Sequence, residues 1–473
     1  MVKTRPEQDV SRSQQAELFV IPLGDERQIL YAPLQRVAVI ADVGLVEAVK
    51  QARAGRGEGI RPQDGDLINA FRELRLVGYA DEVMPITEFQ GTPMPTALTL
   101  FLTTACNLRC TYCYASAGDT PVKGMPFEVA KRGIDFICAN AKKTGSPKIG
   151  LAFHGGGEPT VNWRTLTSAH AYASERAHAL GLELESALAT NGVLSEAQLT
   201  WAISNLTGAS VSFDGLPATH DRHRPLATGG GSSERVMETL RRMDEAGFPY
   251  AVRVTVTADQ IHRLVDSIGF ITERFKPESL QVEPVYQLGR GLGTESAETK
   301  AFIEAFRAAK ARARQNGADL LFSGARLDAL TNHFCGISQD GFALTPDGNV
   351  SACYETFSES QPLSPTFHYG KPATAGSGYD FDMQRLEHLR HQAVQHRPYC
   401  SGCFAKWHCA GDCFHKAISQ SGGTEFKGSA RCDVIRELTK DQILDEITAA
   451  GGVYWQADRH GYAHAPKPID SLL

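Results

Sequence analysis

The chain has no long apolar run, no excess of positive charge and no internal repeat or low-complexity tract. No stretch of it approaches the ~18 consecutive apolar residues that a membrane span needs. Its formal net charge is −6 and no basic run appears, so the electrostatic footprint of a nucleic-acid binder is missing. The N-terminus, "MVKTRPEQDVSRSQQAE", lacks the apolar segment of a secretory signal. These absences lead us to expect a cytoplasmic protein with neither a membrane nor a nucleic acid as partner. What the chain does hold in quantity is cysteine, 11 in all. They fall in groups: Cys106, Cys110 and Cys113; Cys335 and Cys353; then Cys400, Cys403, Cys409, Cys413 and Cys432. In a reducing compartment such grouping points to metal rather than to disulfides. Cys138 stands apart in the apolar helical stretch "GIDFICANA" and reads as a core thiol.

The patterning divides the chain into three parts, 1–95, 96–320 and 321–473. Residues 1–15 read as disordered. Two β-rich runs within 17–40 precede the helical patterns "VGLVEAVKQA" and "GDLINAFRELRLVG", which suggests a small α+β module. "TEFQGTPMPT" then reads as a linker. From residue 96 the rhythm becomes strand, loop, helix. Strands are expected at 96–104, 148–154, 184–190, 208–214, 250–257 and 279–286. Six such units argue for parallel strands with outer helices, as an open doubly wound sheet or a partial barrel. In either arrangement the chemistry belongs at the C-terminal ends of the strands. Beyond residue 330, cysteine, glycine and short polar runs dominate until a closing helix begins near Cys432, and the segment from Trp455 reads as a surface tail.

Cys106, Cys110 and Cys113 lie on the loop after the first of these strands. Thiolates suit an iron–sulfur cluster, zinc or copper(I), and three of them leave a four-iron cluster with one iron open to a chelating small molecule. Zinc with three cysteines and a water is the competing reading. The motif C-x3-C-x2-C, with the aromatic Tyr112 before the last cysteine, resembles that of the radical S-adenosylmethionine superfamily. The resemblance extends over about 96–290 through "GGGEPT" at 155–160, "ATNG" at 189–192 and "VSFDG" at 211–215. It implies a partial (β/α)6 barrel in which the three cysteines hold a 4Fe–4S cluster and S-adenosylmethionine chelates the open iron. It also implies that Tyr112 lies near the adenine. Gly156 and Gly157 would let backbone approach the cofactor, and Glu158 would accept from its ammonium group. Asn191, Ser212 and Arg253 complete the candidate cofactor site; Arg253 is suited to fork onto a carboxylate or to pair with a barrel-lining acid. "THDRHR" at 219–224 has no assigned role.

The later cysteines read C335-x17-C353 and C400-x2-C403-x5-C409-x3-C413-x18-C432, with Gly348 five residues before Cys353. This order resembles the SPASM extension of radical enzymes that modify peptides. The resemblance implies that Cys400, Cys403, Cys409 and Cys432 hold one auxiliary 4Fe–4S cluster. Cys335, Cys353 and Cys413 would hold a second that is one ligand short, three clusters in all. A peptide maturase is therefore expected, acting on a ribosomally made precursor peptide and fed by an electron donor such as flavodoxin or ferredoxin. The N-terminal module resembles the winged-helix elements that bind a leader peptide as an added strand. A sulfatase-type formylglycine maturase is the alternative, but such enzymes carry an aspartate base just after the G-x4-C cysteine. Here Tyr354 stands there, with Glu355 next and expected to point the other way by strand alternation. A zinc-binding scaffold is the non-enzyme alternative.

Overall fold

The computed structural model describes residues 17–55, 64–74, 76–77, 84–119, 121–421 and 425–457. Near the N-terminus, β1 (Phe19–Pro22), β2 (Arg27–Ala32) and β3 (Val37–Asp42) form an antiparallel meander. The second β-rich run of the sequence splits into β2 and β3 at Pro33–Gln35, where proline opens a tight turn and Arg36 closes it at φ 50°. Asp42 then caps the helix Val43–Arg53 by accepting from the Leu45 amide at 2.6 Å. A second helix, Gly65–Glu73, packs on the first through Ile68 and Phe71.

The six expected strands are present within a few residues of their expected bounds: β4 (Ala97–Leu100), β5 (Lys148–Phe153), β6 (Glu183–Thr190), β7 (Gly208–Ser212), β8 (Tyr250–Val256) and β9 (Ser279–Pro284). They pair in chain order and in parallel, as a partial (β/α)6 barrel requires. Strands buried on both faces must be apolar almost throughout, and β5, "KIGLAF", is buried from Ile149 to Phe153. The crossover helices end where the chain supplies a residue that tolerates left-handed backbone; Phe127–Thr144 stops at Gly145, φ 73°. Cys138, on that helix, is fully buried in the main core as expected.

The sheet does not stop at the expected boundary near 320. The short β10 (Leu320–Leu321) extends the β9 edge, and β11 (Ala343–Leu344) lies parallel beside β4. From there β12 (Val350–Ser351), β13 (His368–Pro372) and β14 (Tyr379–Phe381) continue antiparallel, making 11 strands. The cysteine-rich part is thus built onto the open side of the barrel.

Two expectations are corrected. The segment from Trp455 does not begin as a surface tail: β15 (Tyr454–Gln456) pairs with Val37–Val39 of β3 and completes a four-stranded sheet. Trp455 supplies the reason, since it packs beside Ile29, Tyr31, Ile443 and Ile447. Residues 458–473 lie outside the described residues, as does the expected disordered segment 1–15. "TEFQGTPMPT" is anchored rather than a free linker: the Thr87 carbonyl accepts from Asn332 Nδ2 at 2.9 Å and contacts His333 Nε2 at 2.8 Å.

The N-terminal module is fixed to the cysteine-rich part by buried polar contacts. Tyr31 Oη and His408 Nε2, both fully buried, are 2.6 Å apart, and His408 directly precedes Cys409. Glu17 accepts from Trp407 Nε1 at 2.6 Å. Removing the Tyr31 hydroxyl would leave His408 Nε2 without this partner, a loss of about 1–3 kcal/mol. Tyr31→Phe is therefore expected to lower the denaturation midpoint of the oxygen-free protein by a corresponding amount, measured by urea titration.

Candidate active site at the C-terminal ends of the barrel strands

The loop that follows β4 carries Cys106, Cys110 and Cys113, all partly buried. It is irregular, so its backbone groups must find partners elsewhere. The glycine run supplies two of them: Gly157 N donates to Thr103 O at 2.7 Å and Glu158 N to Ala105 O at 2.9 Å. A Cβ on Gly157 would lie 2.0 Å from Ala105 O, and one on Gly156, φ 67°, 2.9 Å from Thr103 O. These two glycines were expected to admit the cofactor; what approaches them is the backbone of the cysteine loop.

Each thiol also receives a specific environment. Leu108 N donates to Cys106 Sγ at 3.4 Å, and Asn191 Nδ2 lies 3.6 Å from the same sulfur. Burial, then the Glu158 charge, pushes the Cys106 thiol up to about 11; burial pushes Cys110 up to about 12 even with Arg224 pulling it down. Thiols this reluctant to ionise need a cation to hold them as thiolates.

Glu158 is 3% exposed and tied to the next strand. Its Oε1 accepts from Thr160 Oγ1 at 2.8 Å and Thr190 Oγ1 at 2.9 Å, and Oε2 accepts from Asn191 N at 2.8 Å. Oε1 also accepts from Thr160 N at 3.3 Å, so Oε2 is the oxygen with capacity left for a further donor. Ser212 is half-buried at the end of β7, in register with Arg253 on β8. The Arg253 charge acts on His154 and Tyr354, which places it toward the barrel lumen.

Tyr112, the aromatic before the last cysteine, is 8% exposed, and its hydroxyl donates to Asp214. Arg224 Nε donates to the same Asp214 oxygen at 3.0 Å, and its guanidinium carbon lies 5.2 Å from the Tyr112 ring centroid. Burial would raise the Asp214 carboxyl, but Arg224 and its other partners hold it below the usual range. "THDRHR" thereby gains a role that sequence reasoning did not assign. Arg224 is this counter-ion, and His223 contacts Thr111 Oγ1 through Nδ1 at 2.9 Å. Gly289 and Arg290 were also missed. Arg290 N donates to Cys113 O at 3.0 Å and its guanidinium to Cys110 O at 2.6 Å.

The later cysteines fall into two sets. Cys400, Cys403, Cys409 and Cys432 line one small cavity with Tyr399 and Phe426. Cys353 is in electrostatic contact with Cys413 and Cys335. Among the described residues no three His, Cys, Asp or Glu side chains converge as a single metal ion would require. Between the sets, Arg431 Nε donates to both Asp412 oxygens at 2.9 and 3.0 Å, and Nη1 to Glu283 Oε2 of β9 at 2.8 Å.

Tyr354 and Glu355 do not follow strand alternation, because β12 ends at Ser351 and a turn follows, closed by Thr356 N donating to Cys353 O at 3.1 Å. Tyr354 Oη accepts from Thr99 Oγ1 at 3.1 Å, and its ring packs 4.9 Å from that of His154. Glu355 turns to His415 and Lys416.

Residues 100–267 match the family model for the radical SAM superfamily. That segment is similar to the radical S-adenosylmethionine enzymes. The chain's relatives include peptide maturases and a tetrapyrrole enzyme. It is 29% identical over 245 residues to the sporulation killing factor maturation protein SkfB of Bacillus subtilis, covering 46% of this chain and 54% of that protein. It is 28% identical over 193 residues to the Fe-coproporphyrin III synthase of Methanosarcina barkeri, covering 40% and 44%. The chain spans about half the length of the curated relatives it matches. The structure of anSMEcpe with bound AdoMet and Cp18Cys peptide superposes with a TM-score of 0.58 at 18% identity, over 75% of this chain and 99% of that one, which shows a shared fold. No helix among the described residues is long and apolar enough to cross a membrane.

Two substitutions probe the loop supports. Gly157→Ala forces a methyl against backbone that cannot yield, and oxygen-free reconstitution is expected to load less iron in this variant while Gly145→Ala loads normally, read by colorimetric iron assay. Asp214→Asn leaves Arg224 buried without its counter-charge and should cost about 3–5 kcal/mol, measured by urea denaturation.

Proposed function

We propose that the chain is a peptide maturase whose Cys106, Cys110 and Cys113 hold a 4Fe–4S cluster beside an S-adenosylmethionine site. The observation that carries this reading is the three-cysteine loop itself, with its backbone fixed from outside and its buried thiols left to a metal. When bound, the cluster and S-adenosylmethionine would supply one-electron radical chemistry directed at a hydrogen atom of the substrate. The residues of this chain bind, orient and seclude. Glu158 Oε2 would accept from the cofactor's ammonium group, Asn191 Nδ2 lies against Cys106 Sγ, and Ser212 and Arg253 would bind the carboxylate or ribose. The apolar barrel core, with Phe101 and Phe153 fully buried, keeps water from the reacting groups.

Cys400, Cys403, Cys409 and Cys432 are assigned to one auxiliary cluster, and Cys335, Cys353 and Cys413 to a second with an open fourth position. Such clusters provide a sink for the electron left when a substrate is oxidised. A small donor protein of the flavodoxin or ferredoxin kind supplies electrons to the first site. Two comparisons support a peptide as substrate: the maturation protein SkfB among the relatives, and the bound peptide in the anSMEcpe structure. The sulfatase-type alternative is disfavoured because Tyr354, held by Thr99 and His154, takes the place of the carboxylate base.

The test is anaerobic reconstitution. The wild type should bind about twelve irons and, with dithionite, release 5′-deoxyadenosine from S-adenosylmethionine. Replacing Cys106, Cys110 and Cys113 together with alanine should reduce iron by about a third and cleavage to background. Cys403→Ala should lose auxiliary iron and retain cleavage. Undiminished cleavage in the triple variant would refute the assignment.

A further inference from the structure

Three polar atoms at the barrel mouth are buried and, among the described residues, lack a hydrogen-bond partner: His154 Nδ1, Glu355 Oε2 and His415 Nδ1. They come from three places in the chain: the end of β5, the turn after Cys353 and the helix that follows Cys413, Phe414–Ser421. His415 has a side chain only 6% exposed. Its Nδ1 and Glu355 Oε2 lie 2.9 Å apart, yet neither is aligned for a hydrogen bond with the other. Lys416, next on the helix, points its ammonium at the face of Tyr286, 3.6 Å from the ring centroid. Its nearest carboxylate oxygen, Glu355 Oε1, is 3.8 Å away, past hydrogen-bonding reach. Glu355 Oε2 and His415 Nδ1 have only the poorly aligned ion pair between them, and His154 Nδ1 has no hydrogen-bond partner among the described residues. Buried polar groups without well-formed hydrogen bonds are costly, so a ligand that supplied them would be held here.

The chemistry of the set restricts that ligand. Glu355 offers an acceptor and Lys416 a donor, side by side. The neighbouring ions do not alter this balance. Arg431 is fully engaged by Asp412, Glu283 and Ser323, the last at 2.9 Å. A ligand with carboxylates alone would satisfy Lys416 and be repelled by Glu355. A peptide group carries a donor and an acceptor on adjacent atoms and satisfies both.

We propose that Glu355 and Lys416 form an amide clamp, in which a backbone peptide group of the substrate donates its N–H to Glu355 and accepts at its C=O from Lys416. His154 and His415 flank the same segment and complete its hydrogen bonding. The clamp rests on the peptide-substrate reading above and deepens it. It also separates that reading from tetrapyrrole chemistry, whose propionate groups present acceptors only.

The test is equilibrium dialysis with the oxygen-free, iron-loaded full-length chain and S-adenosylmethionine. The probes are radiolabelled N-acetyl-triglycinamide and glutarate. The wild type should bind the tripeptide saturably and bind glutarate at least tenfold more weakly. Lys416→Met and Glu355→Ala should each weaken tripeptide binding by about tenfold to a hundredfold, as expected for losing a hydrogen bond to a charged group. Lys416→Arg, which keeps a cationic donor, should bind within a few fold of wild type. Glu355→Gln, which removes the repelling charge, should gain glutarate binding, an outcome that a merely structural role would not produce. Iron content and far-UV circular dichroism report whether each variant is folded. Failure of the wild type to bind the tripeptide, tripeptide binding unchanged in a folded Lys416→Met, or equal affinity of the wild type for glutarate would overturn the clamp. Deoxyadenosine release without any probe tests the radical reading separately, so the two can fail independently.

Discussion

The site depends on an irregular loop whose backbone is held largely by groups outside it. A loop carrying three cysteines in eight residues has little regular structure of its own, and every unpaired N–H or C=O in it would cost free energy or compete for the ligand. Here those groups are taken up by neighbours from four directions. The glycine run after β5 pairs with Thr103 and Ala105. Arg109 reaches back to Cys106 O at 2.8 Å. The His223–Pro225 segment accepts from the amides of Thr111 and Arg109, each at 2.9 Å. Arg290 closes the last turn from beyond β9. The thiols are the groups left over, which is what a metal site requires.

The same logic accounts for charges buried around the loop. Arg224 would be untenable where it sits without Asp214, and Asp214 in turn gathers the Tyr112 hydroxyl and the Thr255 amide at 3.0 Å. This knot ties the cysteine loop to the ends of β7 and β8 and places a fixed positive charge within electrostatic reach of Cys110. On the far side, Arg431 performs the comparable task between Asp412, which sits between Cys409 and Cys413, and Glu283 of β9. Buried guanidinium groups, each satisfied by carboxylates, thus join the barrel to both groups of cysteines.

Much of this was legible in the sequence, and what was not shares a cause. The six barrel strands announce themselves because doubly buried parallel strands are short apolar runs, and the cysteines because their local spacing is itself a pattern. Partnerships between distant residues leave no such trace. Nothing in "GGVYWQAD" signals that Tyr454–Gln456 will pair with β3, because a three-residue strand has no period to read. Tyr31 and His408 are 377 positions apart, and only the fold makes them neighbours. The glycines of "GGGEPT" were visible, but sequence shows that backbone must come close and not which backbone, and the contacts with Thr103 and Ala105 needed the fold. Glu355 was misdirected by assuming that the strand ran past Ser351.

The placement of β15 bears on how a precursor peptide can meet this chain. A winged-helix element that takes a peptide as an added strand must offer an open edge, and the β3 edge is already occupied by the chain's own Tyr454–Gln456. The opposite edge is β1, four residues long and closed by Pro22, which has no N–H to donate to a new neighbour. The edges of the four-stranded sheet are therefore β1 and β15 itself, and β15 is only three residues long. Gly451 and Gly452, at φ 113° and 93°, form the turn that delivers β15 from the preceding helix. Under the peptide-maturase reading proposed above, recognition at the N-terminal sheet would use one of these short edges, exchange β15, or proceed through a face of the sheet.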